Sequence, residues 1–151
     1  MTPPAIRARL QAGPFNAGAE QAALLAGRTD LGAAVSFTGL VRADGGLAAL
    51  TLEHYPAMTL ARMEAIAGDA AARWPGVAGT IIHRHGRLLP GDAIVLVAAA
   101  APHRGDAFAA AQFLMDWLKT RAPFWKREEW ADGTVRWVEA KDSDDAAAGQ
   151  W

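Results

Sequence analysis

The sequence of 151 residues contains no cysteine. Without cysteine the chain can form no disulfide framework, no thiolate zinc site and no cysteine-ligated iron–sulfur cluster. It also has no thiol nucleophile and no side chain that could carry a persulfide, so any sulfur that it handles must arrive on another molecule. Lysine is scarce too, since three lysines, Lys119, Lys126 and Lys141, stand against twelve arginines.

The chain also lacks a strong net charge. Its formal charge of −1 argues against nucleic-acid binding, because domains that bind a phosphate backbone normally carry a basic excess. The same balance disfavours an alternative in which Trp125, Trp130 and Trp137, with nearby arginines, stack on single-stranded RNA. We therefore expect no nucleic-acid partner.

Long apolar runs are absent as well. No stretch reaches the roughly 20 residues of a membrane-spanning helix, and the first residues lack the apolar core and cleavage site of a secretory signal. We therefore expect a cytoplasmic protein without a membrane partner. The 52% hydrophobic and 21% charged residues are typical of a globular chain. The length fits one domain over residues 1–151, with an N-terminal extension over 1–30 and a C-terminal tail over 142–151.

Hydrophobic periodicity and turn residues predict a mainly antiparallel α+β domain. Asp44-Gly45-Gly46 and Asp132-Gly133 each lie between two extended stretches and predict hairpins. The predicted order is ββ-α-ββ-α-ββ, with the helices covering one face of the sheet. The predicted elements are a short helix over Ala17–Ala26, principal helices over 56–74 and Gly105–Arg121, and strands over Ala33–Arg42, Leu47–Tyr55, Val77–Leu88, Ala93–Ala101, Phe124–Trp130 and Thr134–Val138.

The second principal helix carries cations at both ends of one face. One interpretation is a core stripe whose charged ends reach water, and the other is a binding surface. His103 and Arg104 stand where a buried strand meets the start of this helix, and the unpaired N–H groups there favour a phosphate or carboxylate. The stripe consists of Arg104, Phe108, Ala111, Met115 and Lys119.

The strand over 124–130 offers a second candidate cation. Lys126 and Glu128 share one face of it with Phe124 and Trp130. A lysine in an apolar, partly closed site has a lowered pKa and can act as general acid, general base or amine nucleophile. The alternative is a surface ion pair worth less than about 1 kcal/mol.

Two further patterns concern anion and metal binding. Arg42 ends a strand just before a glycine-rich turn, where it could hold an oxyanion or simply be solvated. His83-x-His85 could place two imidazoles on one strand face, but no third ligand is evident. We interpret both histidines as structural and predict neither a metal site nor a cofactor. No P-loop, dinucleotide fingerprint or serine elbow occurs in the sequence.

A series of segments closely resembles the large, catalytic subunit of molybdopterin synthase. The resemblance runs from about Leu31 to Lys141, and the block Leu118–Glu128 is its most specific part. The segments are Phe37-Thr38-Gly39-x-Val41-Arg42, Leu50–Pro56, Ile82-His83-Arg84-x-Gly86, Pro90-Gly91-Asp92, His103-Arg104, Phe113–Glu128 and Arg136-Trp137-Val138-Glu139.

The resemblance implies an α+β homodimer with a small ubiquitin-like subunit bound at each end, which makes a heterotetramer. That partner ends in Gly-Gly and carries sulfur as a C-terminal thiocarboxylate. Its tail enters a pocket of the large subunit, and two sulfurs pass to cyclic pyranopterin monophosphate to give the dithiolene of molybdopterin. A chain without thiols agrees with this activity, because its sulfur is delivered.

Residue roles follow from the same resemblance. It implies that Lys119 and Lys126 are catalytic, and we expect general acid–base work during ring opening and thiolate addition. Leu40 stands where relatives can have a lysine, and Lys141 where an arginine is also seen. The family builds its pocket near the dimer interface, so neighbouring subunits can share it. The implied substrate-binding group is Leu40, Val41, Arg42, His103, Arg104, Arg127, Glu128 and Lys141.

A competing hypothesis is a non-catalytic module. In that case the protein is a dimeric scaffold that binds a ubiquitin-like tail or a small anion and performs no chemistry. Formation of the dithiolene product from purified components distinguishes the enzyme from the scaffold.

Overall fold

The computed structural model describes residues 4–138 and 148–151 of the chain. The described part contains three helices, which separate groups of one to three strands. They are β1 (Ile6–Gln11), α1 (Ala17–Leu25), β2 (Ala33–Leu40), β3 (Leu47–His54), α2 (Pro56–Arg73), β4 (Ala78–Arg84), β5 (Gly86–Leu88), β6 (Ala93–Ala101), α3 (Arg104–Arg121), β7 (Phe124–Trp130) and β8 (Val135–Val138).

The strands form two sheets rather than one. The first has the order β1-β4-β6-β2 and the second the order β5-β3-β7-β8. β1 runs parallel to β4, and the other strand pairs are antiparallel. The predicted α+β class and the order ββ-α-ββ-α-ββ are confirmed, with β1 and α1 preceding that series.

The main core lies between the first sheet and the helices α2 and α3. Val95 and Val97 of β6 pack there with Met63 of α2 and Leu114 of α3. Leu96 points to the opposite face of β6 and is also fully buried. The continuous apolar run over 93–101 is therefore a central strand covered on both faces, as its composition predicts.

One of the two predicted hairpins is confirmed and the other is wrong. β7 and β8 pair around Asp132-Gly133, where Gly133 has a φ of 87°. β2 instead pairs with β6, and β3 pairs with β5 and β7, so residues 41–46 cross between the sheets. Backbone hydrogen bonds fix this crossing, because Val41 donates to Asp92 at 2.9 Å and accepts from Gly91 at 2.7 Å.

Two other segments differ from the prediction. The single strand expected over 77–88 breaks at His85, because Gly86 (φ of 91°) turns the chain from the first sheet into the second. The N-terminal extension contributes β1, which pairs along β4 as an edge strand of the first sheet. In the C-terminal tail, Ala148 is buried, while residues 142–147 lie outside the described residues.

Candidate active site

Lys119 and Lys126 line the same cavity, which has a volume of about 210 Å³. Lys119 lies in the last turn of α3, and Lys126 lies on β7. The cavity lies between two walls. The end of α3 and the first sheet form one wall, and the second sheet forms the other. Its apolar wall includes Leu50 and Leu52 of β3 and Ile94 of β6.

The local sequence explains why the two lysines meet. Pro123 stops α3, and Ala122 before it takes an extended conformation with φ −76° and ψ 121°. The chain then reverses into β7, where Lys126 pairs with Leu52 on one side and Val138 on the other. Lys119 is exposed at the mouth of the cavity, whereas Lys126 is half-buried.

A second cavity of about 530 Å³ adjoins the first. Ile94, Val95 and Lys119 line both, so Lys119 stands between them. The end of β2 and the two residues after it supply another wall, which includes three residues of the implied substrate-binding group. These are Leu40, Val41 and Arg42.

Arg42 is the exposed cation of this second cavity. Its Nε donates to Oδ2 of Asp44 at 2.7 Å, within the loop that crosses between the sheets. Leu40 is 59% exposed and Val41 is buried. The structure thus places one guanidinium and the Lys119 ammonium around a space large enough for a phosphorylated ring.

His103 and Arg104 do not reach these cavities within one chain. They are exposed at the N-terminus of α3, and Arg104 precedes Lys119 by fifteen residues of that helix. A rise of 1.5 Å per residue separates the two backbones by about 22 Å. The stripe therefore does not gather Arg104 and Lys119 into one pocket of a single chain, because a straight helix holds its ends apart.

The residues that follow Lys126 point in alternate directions. Arg127 faces away from Lys126 and lies 3.8 Å from the Glu129 carboxylate. Glu128 shares the face of Lys126, and its Oε1 lies 3.7 Å from Nε of Arg136. Lys141, the last member of the implied substrate-binding group, lies outside the described residues.

His83, interpreted from the sequence as structural, also lines the lysine cavity, which is the cavity that Lys119 and Lys126 share. Its side chain is buried, its ring stacks on Phe124 with centroids 3.9 Å apart, and Nδ1 lies 2.8 Å from the Arg84 carbonyl oxygen. Burial is the main cause that lowers the pKa of His83 to about 4, and the charges of Lys119 and Lys126 contribute to the same shift. The signal that could have indicated this position is an imidazole that directly follows the apolar pair Ile81-Ile82 in a predicted strand.

The histidines near Phe124 do not form a metal site. His85 lies in the break between β4 and β5, against His54 at 4.6 Å between ring centroids, so His83 and His85 do not share one strand. Burial and the neighbouring His85 lower the pKa of His54. Among residues 4–138 and 148–151, no three His, Asp or Glu side chains are placed to hold a metal ion.

Known proteins match both the sequence and this fold. The MoaE protein family matches residues 10–121. The molybdopterin synthase catalytic subunit of Mesorhizobium japonicum is 55% identical over 145 residues, which are 95% of this chain and 91% of that protein. The MoaE protein structure from Burkholderia ambifaria has a TM-score of 0.83 and 53% identity, covering 95% of this chain and 96% of that one. Molybdopterin synthase from Staphylococcus aureus has a TM-score of 0.79 and 31% identity, covering 86% and 95%.

The two-sheet α+β fold, matched along nearly the whole chain, defines a protein of the molybdopterin synthase catalytic-subunit class. The chain belongs to the MoaE family. This finding confirms the resemblance drawn from the sequence.

In the described part of the chain, no helix has both the length and the apolar character needed to cross a bilayer.

Proposed function

We propose that this chain is the catalytic subunit of a sulfurtransferase that converts cyclic pyranopterin monophosphate into molybdopterin. The sulfur arrives as the C-terminal thiocarboxylate of a small ubiquitin-like subunit, which suits a catalytic chain without cysteine. The observation that carries the proposal is that Lys119 and Lys126, on different elements, line one cavity. The names of relatives in the family support the same activity. The cytoplasmic location expected from the sequence stays a prediction.

Lys119 and Lys126 serve as general acid and general base. In each transfer the C–S bond of the thiocarboxylate breaks, a C–S bond forms on the pterin side chain, and the carrier is left with a carboxylate. Water or the displaced pterin oxygen supplies the oxygen atom, so no oxidant or reductant is consumed. Protons must move as the cyclic phosphate opens and the thiolate adds, and positioned amino groups accelerate such transfers.

The lysine cavity suits the end of the sulfur carrier. Its volume of about 210 Å³ and its walls of Leu50, Leu52 and Val138 fit a narrow chain end such as Gly-Gly better than a bulky ring. Two lysine ammonium groups at such a site attract a thiocarboxylate anion. The relatives' designation as a catalytic subunit agrees with an enzyme that has at least one other subunit.

The adjoining cavity suits the phosphorylated pterin. It is larger, at about 530 Å³, and Arg42 lines it together with Lys119. A guanidinium can form paired, charge-assisted hydrogen bonds with a phosphate. Because Lys119 borders both cavities, a sulfur bound in one and a pterin bound in the other would meet at its amino group.

A second copy of the chain completes the site. His103 and Arg104 are too far along α3 to reach Lys119 of the same chain, so in this proposal they enter from the partner of a homodimer. The exposed apolar side chains of Phe37 (43%) and Phe108 (61%) support such an interface, because exposed apolar surface commonly marks protein contacts.

Reconstitution from purified components tests the enzymatic role. The protein, the thiocarboxylated carrier and the pterin precursor are combined, and dithiolene product is measured. Lys119→Ala is expected to abolish sulfur transfer while the protein still folds and binds the carrier.

Arg121→Ala is the matched control. It removes another cation of the same helical turn, whose guanidinium stacks on Trp117, and it is expected to leave turnover near normal. Near-normal turnover in Lys119→Ala would remove this lysine from the mechanism, and carrier binding by the unaltered protein without product would support a scaffold.

Mixed dimers test the shared site. Co-expression of Lys119→Ala and Arg104→Ala chains produces dimers with one intact site and one doubly altered site. Random pairing should restore about a quarter of wild-type turnover. Separately purified parent variants, kept unmixed, provide the control. Mixed dimers no more active than the parents would contradict the assignment of Arg104 to the neighbouring copy's site.

A further inference from the structure

The described side chains that line the lysine cavity offer more hydrogen-bond donors than acceptors. Among the described side chains that line it, polar atoms belong to His83, Lys119, Thr120 and Lys126. Lysine ammonium groups only donate. The Thr120 hydroxyl lies 3.4 Å from the backbone oxygens of both Asp116 and Trp117, so it is turned towards its own helix. The Thr120 oxygen thus lies against its own helix, and among these four side chains His83 is the one best placed to offer a lone pair to the cavity.

The surroundings of His83 fix which nitrogen carries that lone pair. The Arg84 carbonyl oxygen can only accept, so Nδ1 at 2.8 Å from it carries the hydrogen and Nε2 is the acceptor. Phe124 covers one face of the ring, with an interplanar angle of 19°, and prevents it from turning. The charged groups that face the ring are Lys119 from α3 and Lys126 from β7, and the titratable His54 approaches from β3.

The imidazole stays neutral in this environment. Burial is the main cause of its low pKa of about 4, and the Lys119 ammonium lowers the pKa more than the Lys126 ammonium does. A neutral ring keeps the Nε2 lone pair at neutral pH. Such an acceptor can restrain Lys119, whose amino group ends a flexible four-carbon side chain that is exposed.

We propose that His83 is a positioning residue for catalysis, whose Nε2 accepts a hydrogen bond from the Lys119 amino group and aims it at the reacting sulfur. This inference rests on the proposed role of Lys119 in sulfur transfer. His83 does not exchange a proton with substrate. It restricts the rotation of the lysine side chain, so its loss lowers kcat more than it raises KM for either substrate.

Two substitutions distinguish the effect of the His83 acceptor nitrogen from the effect of its aromatic ring. His83→Phe keeps an aromatic ring against Phe124 and removes the acceptor, whereas His83→Gln keeps an acceptor and removes the ring. We expect kcat to fall about tenfold or more in His83→Phe with KM nearly unchanged, and to stay within about threefold of wild type in His83→Gln. Urea midpoints and carrier binding are measured for both variants. If kcat follows the unfolding midpoint instead of the acceptor, or if both variants turn over normally, the positioning role is wrong.

Comparison with Lys119→Ala distinguishes this inference from the proposed function. An inactive Lys119→Ala beside a fully active His83→Phe would overturn the role of His83 alone. An active Lys119→Ala would overturn the role of the lysine itself.

A spectroscopic measurement needs no turnover. The chain has three lysines, so lysine-labelled protein in its native assembly gives few side-chain signals, which Lys119→Ala and Lys126→Ala assign. A hydrogen bond to His83 slows exchange of the Lys119 ammonium hydrogens with water. We expect His83→Phe to accelerate this exchange more at Lys119 than at Lys126. Unchanged exchange at Lys119 would contradict the hydrogen bond.

Discussion

Arg42 and Asp44 form an ion pair at the edge of the larger cavity, with 2.7 Å between Nε and Oδ2. Both side chains are exposed, and they lie two residues apart in the loop that joins the two sheets. In the proposed function Arg42 binds the phosphate of the precursor. The Asp44 carboxylate is therefore paired with the guanidinium that the phosphate must bind. The substrate phosphate has to displace this carboxylate from Arg42.

Removal of this competing carboxylate should strengthen precursor binding. Asp44→Asn is expected to lower KM for the pterin precursor by about two- to fivefold, because an exposed ion pair is worth up to about 1 kcal/mol. KM for the carrier should not change. Asp30→Asn is a matched control, since Arg28 and Asp30 form a similar exposed pair 2.9 Å apart outside both cavities. An unchanged or higher precursor KM in Asp44→Asn would show that Asp44 does not compete.

Arg42→Ala should have the opposite effect on the same substrate. Loss of a charge-assisted contact with phosphate costs about 1.5–3 kcal/mol, which predicts a precursor KM raised by roughly tenfold to a hundredfold. Carrier affinity, measured by titration calorimetry, should be nearly normal. Equal loss of precursor and carrier binding would contradict a phosphate-specific role.

The buried imidazole of His83 should make stability depend on pH. Its pKa is about 4 in the folded protein and 6.5 as the ordinary value, so between these values the unfolded chain binds the extra proton. Folding stability from this group is present above pH 6.5 and is lost as the pH falls towards 4. Between pH 7 and pH 5 the free energy of unfolding should fall by about 2 kcal/mol from His83 alone.

Urea unfolding at both pH values checks this contribution. His83→Phe lacks the titrating group, so its loss of stability between pH 7 and pH 5 should be smaller than that of wild type by the same amount. His54 remains in both proteins and its contribution cancels in the difference. If the free energy of unfolding falls equally with pH in wild type and variant, His83 has a similar proton affinity in the folded and unfolded states.

Local signals in the sequence were enough to predict most elements but not their partners. The apolar run over 93–101 specifies a buried strand. The turn at Asp132-Gly133 specifies a hairpin, whose two strands are close together in the sequence. A turn signal at Asp44-Gly45-Gly46 predicts a reversal equally well, yet β2 and β3 find partners far along the chain. Pairing across sheets depends on which faces are buried together, which the local pattern does not contain.

The candidate site shows the same division. Lys119 and Lys126 are close in sequence and separated by a helix end, so their approach follows from Pro123 and the reversal of the chain. The distance between Arg104 and Lys119 also follows from helix geometry, and it shows that a shared helical face does not make a shared pocket. His83 could not be assigned, because only the folded structure shows that β4 ends against both lysines.

Asp116 ties the C-terminal residues to α3 through a buried carboxylate. Its Oδ2 accepts hydrogen bonds from Nε1 of Trp151 at 2.7 Å and from Nε2 of Gln150 at 3.2 Å, while Oδ1 accepts from Gln112 at 2.8 Å. The Trp151 ring packs near Phe113, with centroids 5.7 Å apart. These contacts predict a stabilising unit around Asp116, which is not among the residues that line the lysine cavity.

Asp116→Ala should destabilise the protein by about 2 kcal/mol, because the partly buried donors lose a shared acceptor. Trp151→Phe keeps an aromatic ring at this position and loses one donor, so at least about 1 kcal/mol is expected. Since the two residues share one hydrogen bond, the double variant should lose less than the sum of the single effects. Asp69→Ala, on the exposed face of α2, should change stability by less than about 0.5 kcal/mol. Urea unfolding of the wild type and these four variants measures the losses, and strictly additive losses would show that the Asp116–Trp151 hydrogen bond contributes nothing in solution.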